Sequence, residues 1–362
     1  MNFILNRANI RHAGKSTLTY AGCLISALVT HKPSPLIAAL YLTHRCNLHC
    51  TYCNFPEMET PELSTEEWRS VIDKLGDLGC RRIAILGGEP LLRRDLAEII
   101  AHVRMRQMSC ILTSNGLLVS EYITCLSQLN TLVLSLDAAG AENDEVRGEG
   151  VWRAVNEAIT AAKKLGIPVK INAVLSAKTS SKLENLLSFI DRHELHITIN
   201  IMRSGNPDLW RDAASIKDRD EAMRQVLLKI AHMTKVNPRI LFSELSYRYA
   251  AQWDDFSKDR YEAHELSPDD PLVHYGPKCQ AGRFYLTILA DGATSPCINT
   301  IGQIQGGNVL HEGVETAWRN LQGHSCQTCY TPCLVEQNFL FSLKPRVLLN
   351  FISRHLIRGN FA

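Results

Sequence analysis

The sequence predicts an α/β fold: a partial (β/α)6 barrel of parallel strands, followed by a small cysteine-rich domain. Three observations predict it. Six short apolar runs alternate with six amphipathic stretches between Leu36 and Met233. The runs are apolar throughout, as in strands covered on both faces, and their alternation with helices implies parallel pairing with right-handed crossovers. After Gly276 the texture changes to glycines, short runs and five cysteines, ending at Cys333. Six units are too few for a closed eight-stranded TIM barrel, so the barrel is expected to be open, with its chemistry at the C-terminal strand ends.

Leu36–Thr43 reads as the first strand. Pro61–Gly79 contains a helix, opened by a capping box of Ser64 and Glu67. Arg82–Leu86 is a strand and Asp95–Gln107 a helix with Leu96, Ile99, Ile100 and Val103 on one face. Cys110–Thr113 is a strand, Ser120–Leu129 a helix. Thr131–Leu136 is a strand, and Val151–Leu165 a helix that Gly166 and Pro168 end. The strands Val169–Val174 and Ile197–Ile201 each precede a helix, at Lys182–His193 and Asp218–Met233. The expected organisation is a helical extension over 1–35, the barrel over 36–235, a connecting segment over 236–275, the cysteine-rich domain over 276–338 and a basic amphipathic tail over 339–362.

A hydrophobic fraction of 45% and a charged fraction of 21% are ordinary for a folded protein, and a net charge of +2 gives no electrostatic reason to expect nucleic acid. The 12 cysteines are unusual. Disulfide scaffolds are typically short secreted chains, so metal binding in a reducing cytoplasm is the better reading. Leu18–Thr30 is shorter than the ~20 apolar residues that span a bilayer. It reads as a helix lying on the domain or on a membrane surface.

The first strand leads into Cys46-Asn47-Leu48-His49-Cys50-Thr51-Tyr52-Cys53, a C-x3-C-x2-C spacing. Thiolates are the ligands of iron–sulfur clusters, and three of them leave one iron of a four-iron cluster open to a small molecule. The same residues are compatible with zinc, His44 or His49 being the fourth ligand, or with structural thiols. The second strand ends in Gly87-Gly88-Glu89-Pro90. Two glycines let a backbone approach a ligand closely, and a zinc module has no need of such a turn.

Together these motifs resemble the radical S-adenosylmethionine (SAM) superfamily. Tyr52 matches the aromatic residue before the third cysteine, and Gly87–Pro90 the second family motif. Thr113–Gly116 and Leu134–Asp137, at the next two strand ends, resemble positions near SAM. The resemblance covers residues 36–201. It implies a [4Fe–4S] cluster on Cys46, Cys50 and Cys53, with SAM contacted by Gly87, Gly88, Glu89, Asn115, Ser135 and Arg147. It also implies reductive cleavage of SAM to a 5'-deoxyadenosyl radical that takes a hydrogen atom from the substrate.

In the C-terminal segment, Asp291-Gly292 between apolar runs signals a hairpin that could bring Cys279 and Cys297 together. Cys326, Cys329 and Cys333 follow as C-x2-C-x3-C. This pattern resembles the SPASM or twitch extension of radical SAM enzymes, but five cysteines are too few for two four-cysteine clusters. The resemblance implies one auxiliary [4Fe–4S] cluster on Cys279, Cys297, Cys326 and Cys329, with Cys333 a spare or substitute; a four-cysteine zinc site is the competitor. Cys23, Cys80, Cys110 and Cys125 read as core, and most histidines beyond His44 and His49 as surface.

The expected reaction is oxidation, epimerisation or bond formation on a small or lipid-like molecule, fed by a flavodoxin or ferredoxin-type reductant. Two alternatives stand beside it: peptide modification, and a non-catalytic zinc or iron–sulfur module. The lipid option rests on the termini, where Lys344, Arg346, Arg354 and Arg358 surround apolar positions, suggesting a cytoplasmic protein with peripheral membrane contact. The ~35 residues before the first strand are few for a leader-binding domain, which disfavours the peptide alternative.

Overall fold

Six strands, β1 (Ile37–Tyr41), β2 (Arg82–Leu86), β3 (Ser109–Ser114), β4 (Thr131–Ser135), β5 (Val169–Leu175) and β6 (His196–Ile201), pair in parallel in chain order. Each lies within about two residues of its sequence-predicted run. The computed structural model describes residues 32–176, 178–202 and 220–353. The Leu18–Thr30 stretch, Cys23, and Arg354 and Arg358 of the tail lie outside the described residues.

The C-terminal segment adds to the same sheet. A short β7 (Arg260–Glu262) precedes β8 (Tyr285–Ile288), which pairs in parallel with β1 from Ile37↔Tyr285 to Leu40↔Ile288. β9 (Thr294–Ser295) then pairs antiparallel with β8 through the expected Asp291-Gly292 turn, where Gly292 has φ +85°. The order β6-β5-β4-β3-β2-β1-β8-β9 makes β8 a seventh parallel wall strand. β10 (Cys326–Cys329) pairs antiparallel with β7 in a separate two-stranded sheet.

The helices cover the outer face of the sheet. Helix Thr65–Asp77 carries the expected capping box: the Ser64 N–H donates to Glu67 at 2.7 Å, and Ser64 Oγ accepts from the Glu67 N–H at 3.3 Å. Its Trp68, Val71, Ile72 and Leu75 enter the core. One expected helix differs. Ser120–Leu129 is a single turn at Val119–Tyr122 and a 3-10 turn at Cys125–Gln128. Only Val119, Leu126 and Leu129 are buried there, and β-branched Ile123 and Thr124 lower the helix propensity between them. Cys125 is therefore exposed and not core, whereas Cys80 and Cys110 are fully buried.

Helix Pro332–Phe341 bridges the open side of the barrel. It packs on β6, where the Cys333 N–H donates to Asn200 Oδ1 at 3.2 Å. On the β8 side, Asn338 Oδ1 accepts from the Tyr285 hydroxyl and from the Gln280 N–H, both at 2.9 Å. The helix is buried nearly all round, so it lacks the one-sided pattern by which helices are read. The chain breaks after it, with Leu343 at φ +54°, and Pro345–Phe351 forms a second helix. The tail is thus not one helix from Phe339. Val347 is buried in the core and Leu348 and Phe351 pack against it, while Leu349 is exposed. Among the described residues no helix is long and apolar enough to cross a membrane.

Candidate active site

A cavity of about 430 Å³ lies within the sheet, in the usual range for a small-molecule site. Cys46, Cys50 and Cys53 line it from the loop after β1, Gly87 and Gly88 from the turn after β2. Asn115 after β3, Ser135 at the end of β4, and Arg147 complete this side. Cys297 and Cys333 reach the same cavity from the C-terminal segment.

The cysteine loop is fastened to the end of helix Ala141–Arg147. The Thr51 N–H donates to the Val146 carbonyl at 2.9 Å, and the Cys50 thiol to the Arg147 carbonyl at 3.6 Å. The Tyr52 hydroxyl donates to Asp137 at 3.0 Å. Asn115 Nδ2 donates to Asn47 Oδ1 at 2.8 Å and lies 3.9 Å from Cys46 Sγ. Burial pushes the Cys46 thiol up to about 11. Burial also raises Cys50, with the Arg147 charge pulling it back. Such thiols are protonated at neutral pH until a metal displaces the protons.

The donor set fits a cluster with one iron left open. Three soft donors face one cavity, and neither candidate fourth ligand for zinc joins them. His49 is exposed. His44 is buried outside the lining, its Nδ1 2.7 Å from Thr60 Oγ1 and its Nε2 without a partner. Among the described residues no three His, Cys, Asp or Glu side chains are arranged to hold a single metal ion.

The Gly-Gly turn lines the cavity and also packs against the cysteine loop. Gly87 has φ +152°. A Cβ on Gly88 would lie 2.3 Å from the Arg45 carbonyl oxygen and 2.5 Å from that of His44. The glycines thus admit the backbone entering the cysteine loop, to which the Gly88 and Glu89 N–H groups donate at 2.8 Å. Glu89 turns its side chain away from the cavity and is fully buried. Its carboxylate accepts from the Asn115 N–H at 2.8 Å, the Leu91 N–H at 3.1 Å and the Ser114 hydroxyl at 3.1 Å. Burial pushes this carboxyl up to about 7, against the pull of those donors.

Arg147 grips Asp137 with Nη2 at 2.9 Å and Nε at 2.8 Å, and the Val174 N–H donates to Asp137 at 2.7 Å. Asp137 itself is fully buried and is not part of the cavity lining.

The five C-terminal cysteines come together across β8, β10 and the start of helix Pro332–Phe341. Cys279 interacts with Cys326 and is held well below the ordinary thiol range by it and by His324. Burial raises Cys329, with Cys279, Cys297 and Cys333 adding to the effect. The Tyr285 phenol is raised by burial and by four surrounding thiols, those of Cys279, Cys297, Cys329 and Cys326. His324 is a residue that sequence reasoning left on the surface. It is half-buried, its Nε2–H donates to the Ala281 carbonyl at 3.0 Å, and its ring neighbours Cys279. Its position two residues before Cys326 was the available signal.

Comparison with known proteins agrees with this geometry. Residues 40–190 match the family profile of the radical SAM superfamily. A PqqA peptide cyclase of Xanthomonas euvesicatoria pv. vesicatoria (strain 85-10) is 32% identical over 166 residues, covering 43% of this chain and 44% of that protein. A probable GTP 3',8-cyclase of Methanopyrus kandleri is 35% identical over 164 residues, covering 40% of this chain and 50% of the relative. The chain thus spans about half the length of the curated relatives it matches. Among solved structures, Streptococcus suis SuiB bound to precursor peptide SuiA superposes with a TM-score of 0.60 at 20% identity, over 83% of this chain and 69% of that one. anSMEcpe with bound AdoMet and Cp18Cys peptide gives 0.57 at 15% identity, over 87% and 98%. At these identities the structural likeness speaks for the fold. The matched stretch contains the cysteine triplet, the Gly-Gly turn and the first five parallel strands except the start of β1, so residues 40–190 form a domain that matches the radical SAM superfamily.

Proposed function

We propose that the chain is a radical SAM enzyme that modifies a peptide. The observation that carries this reading is the single cavity reached by both cysteine sets, Cys46, Cys50 and Cys53 on one side and Cys297 and Cys333 on the other. A [4Fe–4S] cluster at the first set supplies the electron that cleaves SAM to a carbon radical. Gly87, Gly88, Asn115, Ser135 and Arg147 face SAM, and Glu89 holds the Asn115 backbone in place. Cys279, Cys297, Cys326 and Cys329 hold one auxiliary [4Fe–4S] cluster, with Cys333 beside them. The apolar walls keep water from the radical. A flavodoxin or ferredoxin-type protein is the reductant.

The charge of the cavity favours a peptide over a nucleotide. Among the described lining residues Arg147 is the only charged side chain, and Asp137 already engages it. A triphosphate buried there would lack compensating cations, at a cost of several kcal/mol. Amides and hydroxyls such as Asn172, Asn200, Gln337 and Thr198 suit an uncharged peptide segment. The PqqA peptide cyclase likeness supports the same choice, so this reading replaces the small-molecule and lipid-like one. Peripheral membrane contact is a separate expectation: of the described tail residues, Val347 is buried and Leu349 is exposed.

The test uses anaerobically purified protein reconstituted with iron and sulfide. With dithionite and SAM, 5'-deoxyadenosine should form in wild type and be absent in the Cys46→Ala/Cys50→Ala/Cys53→Ala variant, read by mass spectrometry. Equal yields in the two would overturn the enzymatic reading. If GTP raises the yield and no member of a peptide panel does, the peptide assignment fails.

A further inference from the structure

Asp137 carries more than a turn residue needs to. It follows β4 and is fully buried. It accepts from the Tyr52 hydroxyl, from Arg147 Nη2 and from the Val174 N–H, and Arg147 Nε lies 2.8 Å from its other oxygen as an ion pair. The Arg147 side chain is only 6% exposed, so its charge is almost entirely out of water. The Arg147 carbonyl oxygen lies 3.6 Å from Cys50 Sγ. The Arg147 guanidinium carbon lies 5.8 Å from the centre of the Tyr52 ring, and Arg147 and Cys50 line the same cavity.

We propose that Asp137 is a positioning residue that sets the reduction potential of the cluster on Cys46, Cys50 and Cys53, by cancelling the buried Arg147 charge beside Cys50. The inference rests on that loop holding the cluster, as in the function proposed above. On reduction the cluster takes up one electron from the external reductant and then passes it to SAM, while Asp137 gains and loses nothing. An uncompensated cation near the cluster favours the electron-rich state. It therefore makes the cluster easier to reduce and a weaker donor to SAM. Charge, hydrogen bonding and burial around the sulfurs are the levers by which a protein tunes such a site. Here the Arg147–Asp137 pair supplies geometry to the loop and to SAM without leaving a net positive charge.

The experiment is an EPR-monitored redox titration of the reconstituted full chain, following the signal that changes when SAM is added, which separates this cluster from the auxiliary one. Asp137→Asn should shift the midpoint potential upward. Tyr52→Phe removes one hydrogen bond to Asp137 but no charge, and should leave the potential in place. The double variant Asp137→Asn/Arg147→Gln removes both charges and should return the potential toward wild type. Should Asp137→Asn fail to fold, Arg147→Gln alone should shift the potential downward. Coincident potentials in wild type and Asp137→Asn would overturn the inference, as would a double variant shifted as far as Asp137→Asn. Absence of iron at this loop in wild type is a different failure: it removes the function on which the inference rests and is read from iron content before any titration.

Discussion

Gly88 and Glu89 sit at the centre of the family motif, yet their constraints come from within the protein. A Cβ at Gly88 meets two carbonyl oxygens of the cysteine loop, and backbone cannot swing aside as a flexible side chain can. Gly88→Ala should therefore displace the loop and lower iron bound at the first site, measured on reconstituted protein against the wild type; full iron loading would refute the packing role. Glu89 makes a second prediction. Its folded pKa of about 7 lies above the usual ~4.3 of a glutamate. The native state then holds the proton more tightly than the unfolded chain. Its contribution to stability is complete below about pH 4 and is lost as pH rises through about 7, by roughly 4 kcal/mol. Urea unfolding between pH 5 and 8 should show this fall, and Glu89→Gln should remove the slope while leaving a lower plateau, since an amide NH2 would oppose a backbone N–H. The cysteine spacing was legible because it is local. The tether from Tyr52 to Asp137 was not, because its partners meet only once β1 and β4 lie in one sheet.

The barrel strands, and its helices apart from Ser120–Leu129, followed their apolar periods closely, since each strand is paired with its sequence neighbour and buries a face that its own residues announce. Two elements of the C-terminal segment escaped that logic. The β8 run Tyr285–Ile288 is buried on both faces and pairs with β1, a partner at the other end of the chain for which no local signal exists. Helix Pro332–Phe341 is apolar on nearly every side, so its period is hidden even though Pro332 marks its first turn. Both meet at Asn338, where one carbonyl oxygen accepts the Gln280 N–H and the Tyr285 hydroxyl. Asn338→Ala would leave two buried donors unsatisfied, each worth about 1–3 kcal/mol. A loss of about 2–5 kcal/mol in chemical denaturation is expected, together with weaker iron retention by the C-terminal cysteines. A loss under about 0.5 kcal/mol would mean that water replaces Asn338 and that the helix is held by its apolar contacts alone.

At the scale of the whole chain, one cavity touches two groups of thiols that lie far apart in sequence, and the seventh strand is the reason. Because β8 pairs with β1, the segment that follows it carries Cys297 into the wall of the same cavity that Cys46, Cys50 and Cys53 line from the loop after β1. Helix Pro332–Phe341, crossing from β6 to β8, brings Cys333 to the same space. A substrate segment seated there would touch both groups at once, which suits a reaction that begins by removing a hydrogen atom at one end and ends by removing an electron at the other. Iron counting separates the two sites. Fully reconstituted wild type should bind about eight irons per chain, as two four-iron clusters. The variant Cys297→Ala/Cys326→Ala/Cys329→Ala should bind about four and still yield 5'-deoxyadenosine, while modified peptide disappears. If that variant retained all eight irons, the C-terminal cysteines would not be ligands. If it lost SAM cleavage as well, with its first site fully loaded, the second group would have to act before the substrate radical forms, and its place would be in delivering the electron and not in receiving it.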